Sequence, residues 1–221
     1  MGDRQSKDAL FDGLASVAKA LGSGRRAELV DVLAQGERSV DQLAGEIGQS
    51  VANTSHHLQV LSRAGIVATR REGTRIHYRL SSERVADLWA ALRDVASQHV
   101  AGFDQLADAY LDEVGVETIS REELAGRLGD SDLVVLDVRP AAEFAAGHIE
   151  TATFVPVEAL DARLSEFPEG VEVVAYCRGP YCAFAVDAVR ALQASGRRAR
   201  RLEDGFPEWR RAGLPVQIGP G

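Results

Sequence analysis

The sequence predicts two domains of different class: residues 1–113 as an all-α unit carrying one β-hairpin, and residues 116–221 as an α/β unit on a parallel sheet. Three observations predict this. The chain has 221 residues, more than one average domain of roughly 100–150. Apolar residues recur at helical spacing up to residue 64, whereas beyond residue 130 short apolar runs alternate with helical stretches. Charge divides the same way: residues 1–100 hold 13 Lys and Arg against 12 Asp and Glu, and residues 101–221 hold 12 against 21. Composition is 45% hydrophobic and 26% charged, which excludes a wholly disordered chain. No apolar run approaches the roughly 18–20 residues of a membrane span, so no membrane partner is expected. The polar start MGDRQSKD leads into no export segment, which makes the cytoplasm the expected compartment. The two cysteines, Cys177 and Cys182, are too few for a disulfide framework and point to local thiol chemistry.

Leu10, Leu14, Val17, Ala18 and Leu21 share one face of a helix over 6–21, which Gly22-Ser23-Gly24 stops. Leu29, Val30 and Leu33 define a second helix over 25–35, ended by Gly36. Ser39 caps a third, with Val40, Leu43, Ala44 and Ile47 inward and Gly48 after it. Ser50 caps a fourth over 51–64, whose apolar positions are Val51, Thr54, Leu58 and Leu61. Two short helices joined by Gln49-Ser50 describe a helix-turn-helix. The opposite face of the fourth helix carries Ala52, Asn53, Ser55, His56 and Gln59, short donors and acceptors suited to base edges and phosphates in a major groove. Residues 67–80 then alternate with period two. Ile76, Tyr78 and Leu80 face one way, Arg75, His77 and Arg79 the other, and Glu72-Gly73 makes the turn. Six arginines against two acids within 50–84 give a basic strip in an acidic protein. Arg70, Arg71 and Arg75 gather at the hairpin tip, placed for phosphates or the minor groove.

The run QSVANTSHHLQVLSRAGIVATRREGTRIHYRL resembles the recognition helix and wing of the ArsR/SmtB family of winged-helix repressors, over about residues 8–110. Ser55, His56, His57 and Leu58 match the family's serine, paired histidines and leucine. The resemblance implies a homodimer on palindromic double-stranded operator DNA, built from the first helix and a long last helix over 82–113. Val85, Leu88, Trp89, Leu92, Val95 and Ala96 form the apolar stripe of that last helix. The DNA-contacting residues it implies are Ser50, Asn53, Ser55, His56, Gln59, Arg63, Arg70, Arg71 and Arg75. No metal site is expected. The third helix, SVDQLAGEIG, has no cysteine, and the last offers only His99 near Asp94, Asp104 and Asp108.

In the second half, residues 133–136, 153–155, 171–176 and 199–202 read as strands. A helix carrying Glu143 and Phe144 ends near Gly147-His148, and another carries Phe184, Val186, Val189 and Leu192 to a stop at Gly196. Such alternation implies a parallel sheet with right-handed crossovers and ligands beyond the strand C-termini, where Cys177 falls. Around CRGPYC a strand ends, a loop turns and a helix begins. Loop N–H groups, the helix dipole and Arg178 all favour a thiolate, so a depressed Cys177 pKa is expected. Cys182, five positions on, can attack a Cys177 persulfide or sulfenate or serve only as a small residue.

DLVVLDVRPAAEFAAGHI, the cysteine loop and the closing GFPEWRRAGLPV occur in the order of the rhodanese (sulfurtransferase) family, which residues 116–218 resemble. The resemblance implies that Cys177 accepts sulfane sulfur from a small donor, thiosulfate or a persulfide, and that Asp137 and Arg139 pair beside the loop. Arg178 would hold an anionic donor. Tyrosine phosphatases and Cys-x5-Arg arsenate reductases need Arg six positions after the nucleophile, and Ala183 stands there. No cofactor is expected. Residues 114–116 are too few for a free tether, so a change at the loop is expected to bias the last helix. The expected function is a repressor that senses sulfane sulfur, with a sulfurtransferase carrying an accessory DNA-binding domain as the alternative.

Overall fold

A computed structural model describes residues 3–112 and 115–219. It divides into two compact units, Met1–Val100 and Ala101–Gly221. In the first, α1 (Arg4–Leu21) and α2 (Gly24–Ala34) precede β1 (Arg38–Ser39), α3 (Val40–Glu46) and α4 (Val51–Arg63). The hairpin β2 (Val67–Glu72) and β3 (Arg75–Leu80) follows, then α5 (Glu83–His99). Strand β3 lies between β1 and β2, all antiparallel. This is a winged helix-turn-helix. Caps set its boundaries: Ser39 and Gln42 close a reciprocal capping box on α3, and Ser50 Oγ accepts the Asn53 N–H at the start of α4. Gly48 and Gly65, both at positive φ, end α3 and α4. The core joins Leu29, Val30 and Leu33 of α2 to Leu43, Leu58, Leu61 and Ile66.

Three expectations are corrected here. Val51 is 45% exposed, since it opens α4 before the core face begins. The hairpin turn falls on Gly73-Thr74, because Glu72 still pairs with Arg75 and Gly73 takes the positive φ. The long last helix is broken: α5 ends at His99, Val100 turns extended, and Gly102 sits at φ +78°. The helix then restarts as α6 (Phe103–Leu111) within the second unit. Residue 113, the expected helix end, lies outside the described residues.

The second unit continues with β4 (Thr118–Ile119), α7 (Arg121–Gly126), β5 (Leu133–Asp137), α8 (Ala141–Ala146), β6 (His148–Ile149) and β7 (Thr153–Phe154). There follow α9 (Val157–Arg163), a 3₁₀ turn, β8 (Glu172–Tyr176), α10 (Ala183–Ala194), β9 (Arg198–Leu202), α11 (Phe206–Arg211) and β10 (Val216–Gln217). The main sheet runs β4-β9-β8-β5-β7, parallel throughout, and β6 pairs antiparallel with β10. Alternation along the central strands splits the core. Leu136, Val138, Val173, Ala175 and Cys177 face α9 and α10, while Val135, Val174 and Tyr176 face Phe206 and Trp209 of α11. The buried run of β8 thus ends by delivering Cys177 at the C-terminal edge of the sheet.

Candidate functional site

Cys177 follows β8 directly and is 1% exposed. The loop from Cys177 to Cys182 turns tightly, the Cys182 N–H donating to the Gly179 carbonyl at 3.2 Å, and α10 begins at Ala183 with Cys182 as its N-cap. The two cysteines form a disulfide across a Cα separation of 6.2 Å. The expected Cys177 thiolate is therefore absent from this state: neither sulfur titrates while bonded to the other. The loop does bring both sulfurs to one point, as intramolecular exchange requires.

Arg178 is paired with a carboxylate. Its Nε and Nη2 donate to Glu143 of α8 at 3.0 and 2.6 Å, and the Glu143 carboxylate is fully buried. Its Cζ lies 5.5 Å from the centroid of the Phe184 ring. The side chain next to Cys177 thus ties the loop to α8, an ion pair across 35 residues.

Asp137 and Arg139 pair beneath the loop, on the sheet face opposite the Cys177 side chain. Both are 0% exposed. Asp137 Oδ1 accepts the Arg139 backbone N–H at 2.9 Å and Nε at 3.0 Å; Oδ2 accepts Nη2 at 2.7 Å and the Tyr176 hydroxyl at 2.5 Å. Burial, with the charge of Asp137, pushes the Tyr176 phenol well above its usual range, so it stays a donor. Arg139 Nη2 also donates to the Gly147 carbonyl, and the guanidinium lies 4.3 Å over the Phe206 ring. Phe206 in turn donates its N–H to the Cys177 carbonyl at 3.0 Å. The buried pair therefore supports the loop through an aromatic ring rather than touching the sulfurs.

Several supports were not singled out from the sequence. A Cβ on Gly205 would overlap the Gly179 nitrogen, so the closing segment packs directly on the loop backbone. Arg201 of β9 reaches the Pro180 carbonyl at 3.5 Å. Phe103 of α6 meets Tyr181 edge-on, centroids 5.5 Å apart at 75°. The GFPEW segment was the signal available for Gly205 and Phe206; nothing local marks Phe103 or Arg201.

In the first unit, Thr54, Leu58 and Leu61 bury one face of α4. Asn53, His56, Gln59 and Arg63 are exposed along the other, and Ser55 is half-buried. Ser50 is exposed and serves as the cap, while the Asn53 amide donates to Gln49 at 2.8 Å. His57 is half-buried; burial first, then Arg26, His56 and Arg25, hold its pKa below the usual value. On the wing, Arg71 and Arg75 are exposed around Gly73. Arg70 is already engaged, at 2.6 Å from Glu37 and 3.0 Å from Glu72.

Among the described residues, no group of three or more His, Cys, Asp and Glu side chains could hold a metal ion. None of the described helices is long and apolar enough to cross a membrane.

Comparison with known proteins matches residues 23–69 to the bacterial regulatory protein, arsR family, and residues 120–212 to the rhodanese-like domain. The HTH-type transcriptional regulator Rv0324 of Mycobacterium tuberculosis is 44% identical over 220 residues, covering 99% of this chain and 96% of that protein. A sulfurtransferase of Allochromatium vinosum is 36% identical over 107 residues, 48% of this chain and 99% of its own. A homodimeric winged helix-turn-helix DNA-binding domain of Mycobacterium bovis, solved by solution NMR as a fragment, is 45% identical. It covers 45% of this chain and 93% of that one, with a TM-score of 0.43. With the helix-turn-helix match in front, the rhodanese-like match behind and a transcriptional regulator similar along nearly its whole length, the chain belongs to the arsR family of bacterial transcriptional regulators and carries a C-terminal rhodanese-like domain.

Proposed function

We propose that this regulator is a homodimeric cytoplasmic repressor whose operator binding follows the sulfur state of Cys177 and Cys182. One observation carries the reading: the loop holds the two cysteines within bonding distance at the C-terminal edge of a parallel sheet, where such folds present their chemistry. The chemistry begins with both cysteines reduced. The Cys177 thiolate attacks the outer sulfur of a small persulfide, forming a Cys177 persulfide and releasing the donor's thiolate. The Cys182 thiolate then attacks Cys177 Sγ and expels the outer sulfur as hydrosulfide, leaving the disulfide. Cys182 is oxidised and the sulfane sulfur is reduced, so no further reagent is needed. Asp137, Arg139 and Arg178 shape the loop, and their contacts support positioning roles.

The operator-contacting surface in this reading is the exposed face of α4, Ser50, Asn53, Ser55, His56, Gln59 and Arg63, flanked by Arg71 and Arg75 of the wing. Arg70 joins them only by leaving Glu37 and Glu72. Exposed apolar side chains on α1 (Leu10, Phe11, Leu14) and α5 (Leu88, Leu92, Val95) support self-association.

Operator affinity at fixed salt, measured for reduced, persulfide-treated and Cys177→Ser protein, tests the proposal. Reduced and treated wild type should differ at least several-fold, and Cys177→Ser should ignore the donor. Equal affinities for all three reject sensing. The likeness to a sulfurtransferase favours a second reading, in which the Cys177 persulfide passes its sulfur to an external thiol. Multiple turnover with thiosulfate, faster in Cys182→Ser because the competing bridge is lost, would favour that reading.

A further inference from the structure

After the helix-turn-helix and wing the chain runs through α5, Val100-Ala101-Gly102 and α6, and α6 packs on Tyr181 of the cysteine loop. Helix α6 has nine residues, fewer than the roughly 12–15 at which an isolated helix becomes even marginal in water. Its own contacts must therefore hold it in place. Contacts at both of its ends do so. Phe103, in its first turn, meets Tyr181 edge-on. Leu111 is buried at the other end, where Asp112 pairs with Arg190 of α10 at 3.2 Å. Between them Leu106 and Tyr110 are 70% and 67% exposed.

Tyr181 immediately precedes Cys182, and α10 begins immediately after it. Forming or opening the bond between Cys182 and Cys177 acts on the backbone that carries Tyr181. One anchor of α6 thus sits on the element that changes, and the other on the helix that element caps. On the other side, only Val100, Ala101 and Gly102 separate α6 from the end of α5 in the chain. Helix α5 is part of the DNA-binding core: Trp89 Nε1 donates to Asp31 of α2 at 2.8 Å, and Val85 packs beside it.

We infer that α6 is the relay of the sulfur signal, docked through Phe103 on Tyr181 in one bond state of the loop and released in the other. The inference rests on the sensing function proposed above and assigns its route. Phe103 and Asp112 are positioning residues here and touch neither DNA nor sulfur.

The test uses full-length Phe103→Ala, Asp112→Asn and, as the conservative control, Phe103→Tyr. Each is prepared reduced and bridged, and bridging is confirmed by thiol counting. Two quantities are read: amide hydrogen exchange over residues 103–111, and operator affinity. Wild type and Phe103→Tyr should exchange several-fold differently in the two states, with an affinity ratio of about five or more, the low end of ordinary allosteric coupling. Phe103→Ala should bridge normally, exchange fast in both states, and bring the affinity ratio to within about twofold of one; Asp112→Asn should move the same way. A wild-type affinity ratio preserved in Phe103→Ala overturns the relay, as does α6 exchange that ignores the thiol state in wild type. A wild-type ratio of one removes the sensing function. The relay falls with it, whereas a wild-type ratio that stays above one while α6 exchange ignores the thiol state, or that persists in Phe103→Ala, overturns the relay alone.

Discussion

Asp137 and Arg139 are separated by one residue, share four hydrogen bonds and have no exposed surface. Removing one partner leaves a buried charge uncompensated, so Asp137→Asn should destabilise the rhodanese-like unit by about 3–5 kcal/mol, read as a lowered urea midpoint. The pairing was legible from the DVR of the first motif. Its route to the loop was not, because Tyr176, Phe206 and Gly147 converge on it from distant parts of the chain. Arg178 shows the converse. Adjacency to Cys177 suggested a donor-binding cation, while its pairing with a buried carboxylate 35 positions away was not legible in the sequence. His57 adds a pH dependence. Its folded pKa lies below 6.5, so the unfolded chain binds more protons between those two values. Stability should therefore fall as pH drops from about 6.5 through the lowered folded value, and His57→Gln should flatten that part of a pH series of unfolding midpoints.

Helices α3 and α4 are elements whose ends the sequence announced, through Ser39, Gly48 and Ser50. Helices of six or seven residues, α7, α8 and α11 among them, complete fewer than two turns and leave little periodicity to read. The break after α5 was hidden for a different reason. Apolar residues continue through it, and only Gly102, at a φ that favours glycine, marks the place. The wing carries its own prediction. Arg71 and Arg75 are exposed cations, so Arg71→Ala and Arg75→Ala should each reduce the slope of log affinity against log salt by about one. Arg70→Ala should change it less, because Glu37 and Glu72 already neutralise that guanidinium. Gel shifts across a salt series would settle the order; an Arg70 effect equal to the other two would show that those pairs open on DNA.

Charge is divided between the two units as the sequence arithmetic implied, with the basic strip confined to the DNA-binding unit and the acidic excess beyond residue 100. Leu14→Asp and Leu92→Asp put charge on the exposed apolar faces of α1 and α5. Each should convert a dimer to a monomer by light scattering and weaken operator binding at least tenfold, while the rhodanese-like unit keeps its urea midpoint. A chain of two units with separate cores should lose one function without the other.

Gly205 and Phe206 come near the end of the chain, yet they press on the backbone of Gly179 and hold the Cys177 carbonyl. The segment after β9 thus packs directly on the backbone of the cysteine loop. Under the proposed sensing function, a side chain added at residue 205 would disturb the cysteine loop and leave the groove-reading domain whole: a regulator fixed in a single answer rather than a regulator lost.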